Sequence, residues 1–483
     1  MGILTGLQPE KVFYYFEEIT KIPHGSTDTK RISDYLVSFA KEHNLKYIQD
    51  ELNNVIIFKD ASAGYENSDS VIIQGHMDMV CEKEDDCDID FKKDALRLEL
   101  NDGIISAKGT TLGGDDGIAV AYALAVLDDD TLKHPALEVV ITVDEEIGML
   151  GAADLDTTPL KSKLMINIDS EEEGILLASC AGGMTATLHL PTKKNLVSGT
   201  KSFITVDGLV GGHSGTEINK GRANANKLVG RVLYALSKKF SFNLVSVNGG
   251  LKDNAIPRAS KAELVFAAAV DMNEVKEVIS KCEADFKHEY KTTDANVAVT
   301  LVVDANTEIE SLDTDSTKKV ITALMNLPLG IQSMSFDIEG LVQTSLNLGI
   351  LETKDDEVAF SYSVRSSVES EKQDLYLQLE SLATILGGNV TTMGEYPAWE
   401  YNADSKLRRV MVDSFKRQYG REPEIQAIHA GLECGLFAGK IKGLDAVSFG
   451  PDMKDVHTPK ESMDVASVAR SWNYLVDVLA SLK

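Results

Sequence analysis

Apolar residues near the start of the chain recur every three or four positions, the spacing that places side chains on one face of a helix. Two such groups occur, namely Val12, Phe13, Phe16 and Ile19, and then Ile32, Leu36 and Phe39. Ser26 and Thr27 precede the second group and can cap a helix. The pattern therefore predicts that the chain opens with two helices.

Short apolar runs follow, each bounded by polar residues or glycine, as expected of buried strands. They cover residues 55–58, 71–74, 137–143 and 164–168. Helical or loop segments separate the runs, which is typical of an α/β domain with a largely parallel sheet. The same pattern returns after Glu395. There the sequence predicts a helix at 407–415, a buried strand at 446–449 and a closing amphipathic helix from Val465 to Leu479.

Between these two parts, the pattern changes to strands followed by helices. Strands are predicted at 203–206, 262–267 and 297–303, with helices at 222–236 and 275–286. A second block over 317–390 predicts a helix, strands near Phe336, at 346–351 and at 358–364, a helix at 375–385 and a last strand. We therefore expect an α+β lid domain at residues 187–394, inserted into a catalytic domain formed by 1–186 and 395–483.

Composition narrows the class of protein. The 483 residues suffice for more than one domain, and 43% apolar with 25% charged residues is typical of globular proteins. No apolar run reaches about 18 residues and no secretory signal opens the chain, so we expect a cytoplasmic protein and no membrane partner. A net charge of −27 would repel phosphate backbones, so no nucleic acid is expected. Five scattered cysteines argue against a disulfide framework and a thiolate zinc site.

Acidic and histidine side chains follow several of the predicted segments, where ligands bind in open α/β sheets. They are His76 and Asp78, Asp115 and Asp116, Asp144 to Glu146, and Asp169. Singly, each has an ordinary explanation, such as a structural histidine or an aspartate that caps a helix. Together, carboxylates gathered at one edge of a sheet would repel one another unless a cation joined them. The sequence therefore predicts a divalent metal site.

The expected ligands are imidazole and carboxylate groups without sulfur, which suits catalytic zinc and also permits manganese or cobalt. Asp78 lies two residues beyond His76, so it is better placed to accept a hydrogen bond from the second ring nitrogen of His76 than to bind metal. Glu145 and Glu146 cannot face a metal equally if their segment is extended. One is expected to bind the metal, and the other to act as a base toward the metal-bound water.

These motifs resemble those of the co-catalytic zinc peptidases of the M20 clan, and within it the bacterial aminoacyl-histidine (Xaa-His) dipeptidases, or carnosinases. The resemblance also rests on the segments 142–148, 167–170, 211–215, 429–433 and 450–459. It extends over nearly the whole chain in the same order. It implies a zinc-peptidase-like α/β catalytic domain with a mostly parallel central sheet, an inserted α+β lid, and two divalent ions per chain. Zn²⁺ is the first expectation, with Mn²⁺ or Co²⁺ as alternatives.

The resemblance further implies roles at the metal centre. Its ligands would be His76 and Asp169 for one ion, Glu146 and His457 for the other, and Asp115 as the bridge between both. Glu145 would be the general base, and the peptide bond after Asp115 is expected to be cis. Gly114 stands where alanine is common in relatives, which leaves every ligand in place.

In the lid domain, the resemblance implies that His213, in a glycine-rich loop, stabilises the oxyanion. Asn254, Arg365 and Gly431 resemble residues that grip the carboxylate of a dipeptide. Two of these residues have a structural alternative, with His213 as a loop histidine and Arg365 as a solvated charge at a strand end. No motif marks the residues that would read a histidine side chain of the substrate.

The expected activity is hydrolysis of small peptide substrates, preferentially Xaa-His dipeptides including β-Ala-His, with Glu145 as general base. The alternatives are another exopeptidase of the clan, such as a broad dipeptidase or an aminotripeptidase, and an N-acyl amino-acid hydrolase. An inactive scaffold is disfavoured because Glu145, His76 and His457 are all present. No Gly-Lys-Ser/Thr follows residues 109–114, which disfavours a nucleotide site. A homodimer through the lid is also compatible with the sequence.

Overall fold

The structure is a computed structural model that describes residues 2–483. Its helices in this range are α1 (Glu10–Ile19), α2 (Lys30–Glu42), α3 (Gly114–Leu127), α4 (Leu150–Asp154), α5 (Ala225–Ser237), α6 (Met272–Glu289), α7 (Thr314–Asn326), α8 (Glu369–Leu386), α9 (Lys406–Tyr419), α10 (Glu433–Lys440) and α11 (Val465–Ser481). A short 3₁₀ turn spans Ile218–Lys220.

The strands are β1 (Lys46–Gln49), β2 (Val55–Lys59), β3 (Val71–His76), β4 (Leu98–Asn101), β5 (Ile104–Ala107), β6 (Leu137–Thr142), β7 (Leu164–Asn167), β8 (Ile175–Cys180), β9 (Gly182–Pro191), β10 (Lys194–Asp207), β11 (Gly212–His213), β12 (Phe242–Gly249), β13 (Ala255–Ile256), β14 (Ser260–Phe266), β15 (Ala298–Leu312), β16 (Gly330–Met334), β17 (Val342–Thr353), β18 (Glu357–Ser366), β19 (Asn389–Tyr396), β20 (Glu424–Ile428), β21 (Asp445–Ser448), β22 (Met453–Lys454) and β23 (Ser462–Asp464).

The chain divides into two compact units. The first consists of Met1–Cys180, Tyr401–Ala427 and Leu432–Lys483, and the second of Ala181–Glu400 and Ile428–Gly431. The second unit spans the range 187–394 for which an inserted domain was predicted, begins six residues earlier and ends six residues later, and also includes a four-residue segment from much later in the chain. That this unit serves as a lid stays a prediction.

The first unit is built on an eight-stranded sheet with the order β1-β2-β6-β3-β7-β21-β8-β20. Its centre, from β6 to β21, is parallel, whereas β1 pairs antiparallel with β2, β2 with β6, and β8 with β21. Every residue of β3, β6 and β7 is buried, which explains their continuous apolar runs. The predicted α/β class with a parallel central sheet is confirmed.

Helices α1, α2, α3, α9 and α11 contribute apolar side chains to the core of this unit. Helix α3 is unusual because only Asp115 among its residues is not buried. A helix that is apolar on all sides belongs in the interior of a domain rather than on its surface. The first turn of this interior helix carries Asp115 and Asp116.

The second unit has an antiparallel sheet with the order β15-β10-β14-β12-β17-β18-β9-β19, and β16 pairs with β17. Helices α5, α6, α7 and α8 contribute to a separate apolar core with this sheet. The strands and helices predicted for this part are present, except that Phe336 does not lie in a strand. It lies in a bend after β16 and its side chain is fully exposed, so an apolar residue here did not indicate burial.

None of the helices in residues 2–483 combines the length and apolarity that crossing a bilayer requires.

Candidate metal centre and substrate-binding residues

The carboxyl ends of three parallel strands of the first unit bring the predicted metal ligands together. His76 is the last residue of β3, Glu146 follows β6, and Asp169 follows β7. Because β3 pairs in parallel with both β6 and β7, these segments emerge at the same edge of the sheet. His457 comes from the loop after β22, and Asp115 from the first turn of α3.

The five predicted ligands form two groups that share Asp115. In one group, His76 Nε2 lies 3.2 Å from Asp115 Oδ1 and 3.8 Å from Asp169 Oδ1. In the other, His457 Nε2 lies 3.1 Å from Asp115 Oδ2 and 3.0 Å from Glu146 Oε1. Each oxygen of Asp115 therefore faces a different group. The Asp115–Asp116 peptide bond is cis.

The electrostatics of this cluster follow from an excess of carboxylates. Hydrogen bonds to Asp115 and Glu146 raise the pKa of His457 to about 10. The pKa of His76 is also raised, because the bonds to Asp115 and Asp78 outweigh burial, which acts to lower it. Burial, reinforced by Asp116, raises the pKa of Asp169. The field at this edge of the sheet therefore favours positive charge.

The donor set fits divalent metal ions. His76 forms one set of ligand atoms with Asp115 and Glu146 and another with Asp116 and Asp169, and the atoms of each set lie within 4.8 Å of one another. Across residues 2–483, no lysine or arginine is paired with these carboxylates, and histidines are their basic partners. Buried carboxylates without cations raise one another's pKa, a conflict that bound metal removes.

Asp116 belongs to one of these ligand sets, but one of its oxygens is already engaged. Its Oδ2 accepts the backbone N–H of His76 at 3.1 Å, and its side chain is buried. A Cβ on Gly75 would lie 2.5 Å from this oxygen. Glycine at position 75 therefore lets the carboxylate approach the strand that carries His76.

Asp78 connects His76 to Glu145. Its backbone carbonyl lies 3.0 Å from His76 Nδ1 and its Oδ1 lies 3.5 Å from the same atom. The same Oδ1 accepts the backbone N–H of Glu145 at 3.1 Å, and Oδ2 accepts the Ser26 hydroxyl at 2.9 Å. One buried carboxylate thus restrains both a predicted ligand and the predicted base.

Glu145 and Glu146 point differently because their segment is not extended. Asp144, two residues beyond the end of β6, has a left-handed φ of 55°, and its Oδ1 accepts the backbone N–H of Thr27 at 2.6 Å. Glu146 reaches His457, whereas burial raises the pKa of the Glu145 carboxyl to about 7, with a further contribution from the charge of Glu146. A carboxyl with such a pKa can exchange a proton near neutral pH.

Glu461 holds the backbone that presents Asp115. Its carboxylate accepts the backbone N–H groups of Leu112, Gly113, Gly114 and Asp115 at 2.8, 3.2, 2.8 and 3.4 Å. Backbone N–H groups at the start of a helix have no acceptor within the helix, and a negative charge is favoured there. Glu461 supplies both the acceptor and the charge. Burial raises the pKa of this carboxyl.

A buried polar layer lies beneath the ligands. Glu433, the first residue of α10, accepts hydrogen bonds from Gln74 Nε2 at 2.5 Å and from Thr142 Oγ1 at 2.6 Å. Gln74 Oε1 in turn accepts a bond from Asn167 Nδ2 at 2.6 Å. Burial raises the pKa of Glu433 to about 8. The layer links β3, β6 and β7 just before the residues that carry the predicted chemistry.

In the second unit, His213 is held in one tautomer. Its Nδ1 accepts the backbone N–H groups of Gly215 and Thr216, both at 3.2 Å. The ring proton must therefore reside on Nε2, which is left as a donor. Burial lowers the pKa of His213, with a smaller contribution from Arg365, so the ring is neutral at neutral pH.

Asn254 lies beside His213 and shares a cavity with Arg365. Residues 212–213 pair with 255–256, and the backbone carbonyl of Asn254 accepts the N–H of Ser214 at 2.9 Å. Asn254 and Arg365 line one cavity of about 170 Å³ within this unit. Arg365 is only 8% exposed, so it is not a solvated charge at a strand end.

Gly431 lies in the segment 428–431 of the second unit. The N–H of Ala181 donates to the carbonyls of Ile428 and Ala430, both at 3.1 Å. His429, in the same segment, is buried, and its Nε2 lies 2.7 Å from Ser345 Oγ. Burial, Arg365 and His213 lower the pKa of His429 to about 3, so this ring stays neutral.

No role was predicted from the sequence for Glu461, Glu433, His429 or Tyr396. Tyr396 Oη accepts a hydrogen bond from Arg365 Nη1. For Glu433, a signal was available, because Gln74 and Asn167 are polar residues within apolar runs, each two positions before a predicted ligand. For Glu461 and Tyr396, no spacing in the sequence indicates which residue they contact.

Comparison with known proteins identifies a matching family and a similar relative. The model of a family described as peptidase family M20/M25/M40 matches residues 72–481. A relative from Escherichia coli (strain K12), the cytosol non-specific dipeptidase, is 37% identical over 486 residues, which cover 100% of this chain and 99% of that protein.

Two solved structures are also similar. The aminoacylhistidine dipeptidase from Vibrio alginolyticus aligns with a TM-score of 0.92 and 35% identity, covering 99% of this chain and 97% of that one. The aminopeptidase PepT from Bacillus cereus ATCC 10987 aligns with a TM-score of 0.56 and 15% identity, covering 99% of both chains. At this lower identity, the second likeness concerns the fold alone.

Proposed function

The chain belongs to peptidase family M20/M25/M40, and from that membership we propose that it is a dipeptidase with two divalent metal ions and Glu145 as general base. The observation that carries the proposal is the arrangement around Asp115, whose two oxygens face two separate groups of histidine and carboxylate ligands. Beside them lies a carboxyl whose pKa is raised to about 7.

Two similarities support the substrate class. The E. coli relative is named a non-specific dipeptidase and the Vibrio structure an aminoacylhistidine dipeptidase. We place dipeptides in general in the substrate range and Xaa-His dipeptides, including β-Ala-His, as the preferred members. The name of the E. coli relative also supports a cytoplasmic location. A homodimer stays a prediction from the sequence.

His76 and Asp169 would hold one ion, Glu146 and His457 the other, and Asp115 both. The imidazole and carboxylate donors favour Zn²⁺ and also accept Mn²⁺ or Co²⁺. When bound, the two ions would make a shared water more acidic and polarise the peptide carbonyl. Asp78 restrains His76 through Nδ1, so the ring presents Nε2 to the metal side.

Glu145 would take the proton from the attacking water and deliver it to the leaving amine. Burial raises the pKa of Glu145 to about 7 before any ion is bound, and nearby cations would lower it, so Glu145 would be ionised and able to accept a proton when the ions are present. The hydrogen bond from the Glu145 backbone to Asp78 fixes the base relative to the ligand His76.

The second unit would bind and orient the dipeptide. His213, neutral and with its proton on Nε2, would donate a hydrogen bond to the oxygen that becomes negative in the transition state. Arg365 and Asn254, which share a cavity, would hold the C-terminal carboxylate together with Gly431. An arginine suits this task because its planar fork matches a carboxylate.

The test is hydrolysis of a peptide panel by the purified protein, before and after chelation and with Zn²⁺ or Mn²⁺ restored. The panel contains β-Ala-His, Gly-His, Leu-Gly and Leu-Gly-Gly. Glu145→Gln is measured beside Glu172→Gln, which makes the same change at an exposed residue. We expect the wild type and Glu172→Gln to cleave the dipeptides in a metal-dependent way, and Glu145→Gln to lose this activity.

The other outcomes are equally informative. Equal rates for all three dipeptides would keep the mechanism and remove the histidine preference. Faster cleavage of Leu-Gly-Gly than of any dipeptide would favour an aminotripeptidase. Activity that survives both chelation and the Glu145 substitution would contradict the proposed mechanism.

A further inference from the structure

Arg365 is a buried cation that has no carboxylate counter-ion among residues 2–483. Its side chain is 8% exposed, and in residues 2–483 no carboxylate lies within 4.0 Å of its guanidinium. Its Nε is buried and has no hydrogen-bond partner among the described residues. Burial of an unpaired charge is costly, so the site is arranged for an anion that comes from outside the chain.

Tyr396 is the polar contact that orients this guanidinium. Arg365 Nη1 donates a hydrogen bond to Tyr396 Oη at 2.9 Å. The two residues lie on β18 and β19, which both pair with β9, and both are opposite Gly183 in the register. Because β9 lies between β18 and β19, the backbones of Arg365 and Tyr396 are two strand spacings apart, or about 10 Å. Their side chains can therefore meet only by extending toward each other over Gly183.

Gly183 makes this meeting sterically feasible. A Cβ at position 183 would lie 2.5 Å from Tyr396 Oη, 2.6 Å from its Cζ and 2.9 Å from its Cε1. Contacts this close to a planar ring cannot be relieved without moving the tyrosine. Glycine at this position therefore keeps the path between Tyr396 and Arg365 open.

The backbone of Tyr396 is also restrained by the surrounding structure. The register between β19 and β9 shifts between Met393 and Tyr396, and such bulges redirect the side chains that follow them. The carbonyl of Tyr396 accepts a hydrogen bond from the buried Lys372 Nζ at 2.9 Å, and this lysine is also paired with Glu369 at 3.1 Å. The bulge and the lysine together fix where the phenol points.

We propose that Tyr396 is a positioning residue that holds the Arg365 guanidinium in the orientation that receives the substrate's C-terminal carboxylate, with Gly183 providing the space for that contact. The proposal rests on the proposed dipeptidase function. The hydrogen bond from Arg365 to Tyr396 would hold the buried guanidinium in one orientation before substrate arrives. Preorganisation of this kind strengthens binding because the guanidinium loses less freedom when the ligand binds.

The test compares Gly-His with its C-terminal amide, Gly-His-NH₂, for the wild type, Tyr396→Phe, Arg365→Ala and the double variant, all in the metal-loaded enzyme. Loss of one hydrogen bond to a charged group predicts that Tyr396→Phe raises KM for Gly-His about tenfold. The value of kcat should stay within about twofold, and kcat/KM for the amide should not change. In the Arg365→Ala background, Tyr396→Phe should have no further effect.

Gly183→Ala provides a second route to the same result, because it leaves the phenol in place but obstructs its path. It should raise KM for Gly-His and not affect the amide. Tyr376→Phe is the matched control, since it removes a hydroxyl that makes an exposed hydrogen bond to Glu380 in the same unit. This control should leave both substrates unaffected, and thermal unfolding checks that each variant is folded.

Two failures can be told apart. If the wild type cleaves Gly-His but Tyr396→Phe leaves its KM unchanged, or affects acid and amide equally, the positioning role is overturned and the dipeptidase function stands. If the metal-loaded wild type cleaves neither this nor any other dipeptide, the proposed function is overturned and the role of Tyr396 with it.

Discussion

Replacement of Glu461 by glutamine should weaken metal binding without any change to a metal ligand. The carboxylate accepts four backbone N–H groups in residues 112–115, at 2.8 to 3.4 Å. Glutamine has nearly the same shape but offers one carbonyl oxygen and one NH₂ group. Two of the four N–H groups would then face another donor inside a buried site. The loop that presents Asp115 would have to shift to relieve this conflict.

The size of the effect follows from the bonds that are lost. A hydrogen bond to a charged group contributes about 1.5–3 kcal/mol, so loss of two sets an upper bound of roughly 3–6 kcal/mol on folding stability. Burial raises the pKa of Glu461, which means that desolvation already offsets part of this contribution. We therefore expect a stability loss of about 2–4 kcal/mol. Loss of a residue that supports a metal ligand lowers metal affinity about 10- to 100-fold.

The assay is calorimetric titration of Zn²⁺ into chelator-treated protein, with denaturant unfolding measured in parallel. Glu138→Gln is the matched control, because the buried carboxylate of Glu138 also accepts backbone N–H groups, from Lys161 at 2.9 Å and Ser162 at 3.1 Å. Glu138 lies at the other end of β6 from the ligands. The Glu138→Gln variant should be less stable than the wild type but should bind Zn²⁺ with the same affinity. Wild-type Zn²⁺ affinity in Glu461→Gln would refute the reasoning.

Three further substitutions test other parts of the first unit. Glu145→Gln should lower kcat by a factor of about 10² or more while Zn²⁺ affinity stays within about twofold; loss of both would make Glu145 a ligand instead. Folding raises the pKa of Glu433 from its ordinary 4.5 to about 8. The protonated Glu433 therefore contributes fully to the free energy of unfolding below about pH 4.5, and this contribution is lost as the pH rises toward 8. The glutamine in Glu433→Gln is neutral at every pH, so this variant should become more stable relative to the wild type as the pH rises from about 5 to 8. The measurement is unfolding of the metal-free protein across this range, and a stability difference that does not change with pH would argue against the reasoning. Gly75→Ala places a Cβ 2.5 Å from both Asp116 Oδ2 and Ala119 Cβ, and should destabilise by about 1–3 kcal/mol; an unchanged unfolding midpoint would contradict that packing.

Much of the fold of the first unit could be predicted from the sequence, because its buried strands coincide with continuous apolar runs. The runs at 71–74 and 164–168 are buried on both faces in a parallel sheet, so their apolar continuity identified them as strands. The rule that ligands gather beyond the carboxyl ends of such strands then selected His76 and Asp169 before any distance was known. For His76 and Asp169, the position after a strand in the sequence also fixes the position in the fold, because parallel strands end at the same edge of the sheet.

What the sequence did not disclose are contacts between side chains and distant backbone. Glu461 and the loop at 112–115 are nearly 350 positions apart, and nothing in the composition around either one indicates the other. Tyr396 meets Arg365 because of a strand register and a bulge, which depend on the whole sheet. Phe336 was misassigned because apolar character alone cannot distinguish a buried strand from an exposed bend.

The order of strands in the first unit has a consequence for how the chain is made. Strand β21, which comes late in the sequence after the whole second unit, lies between β7 and β8 in the sheet, and His457 follows it. All nine strands of the large sheet in the second unit, by contrast, have been synthesised once residue 396 is joined. On the ribosome, the second unit can therefore form its sheet while the first is still missing a central strand. The proposed ligand set is complete only once His457 has been added, so we expect a chain that terminates before this residue to lack peptidase activity.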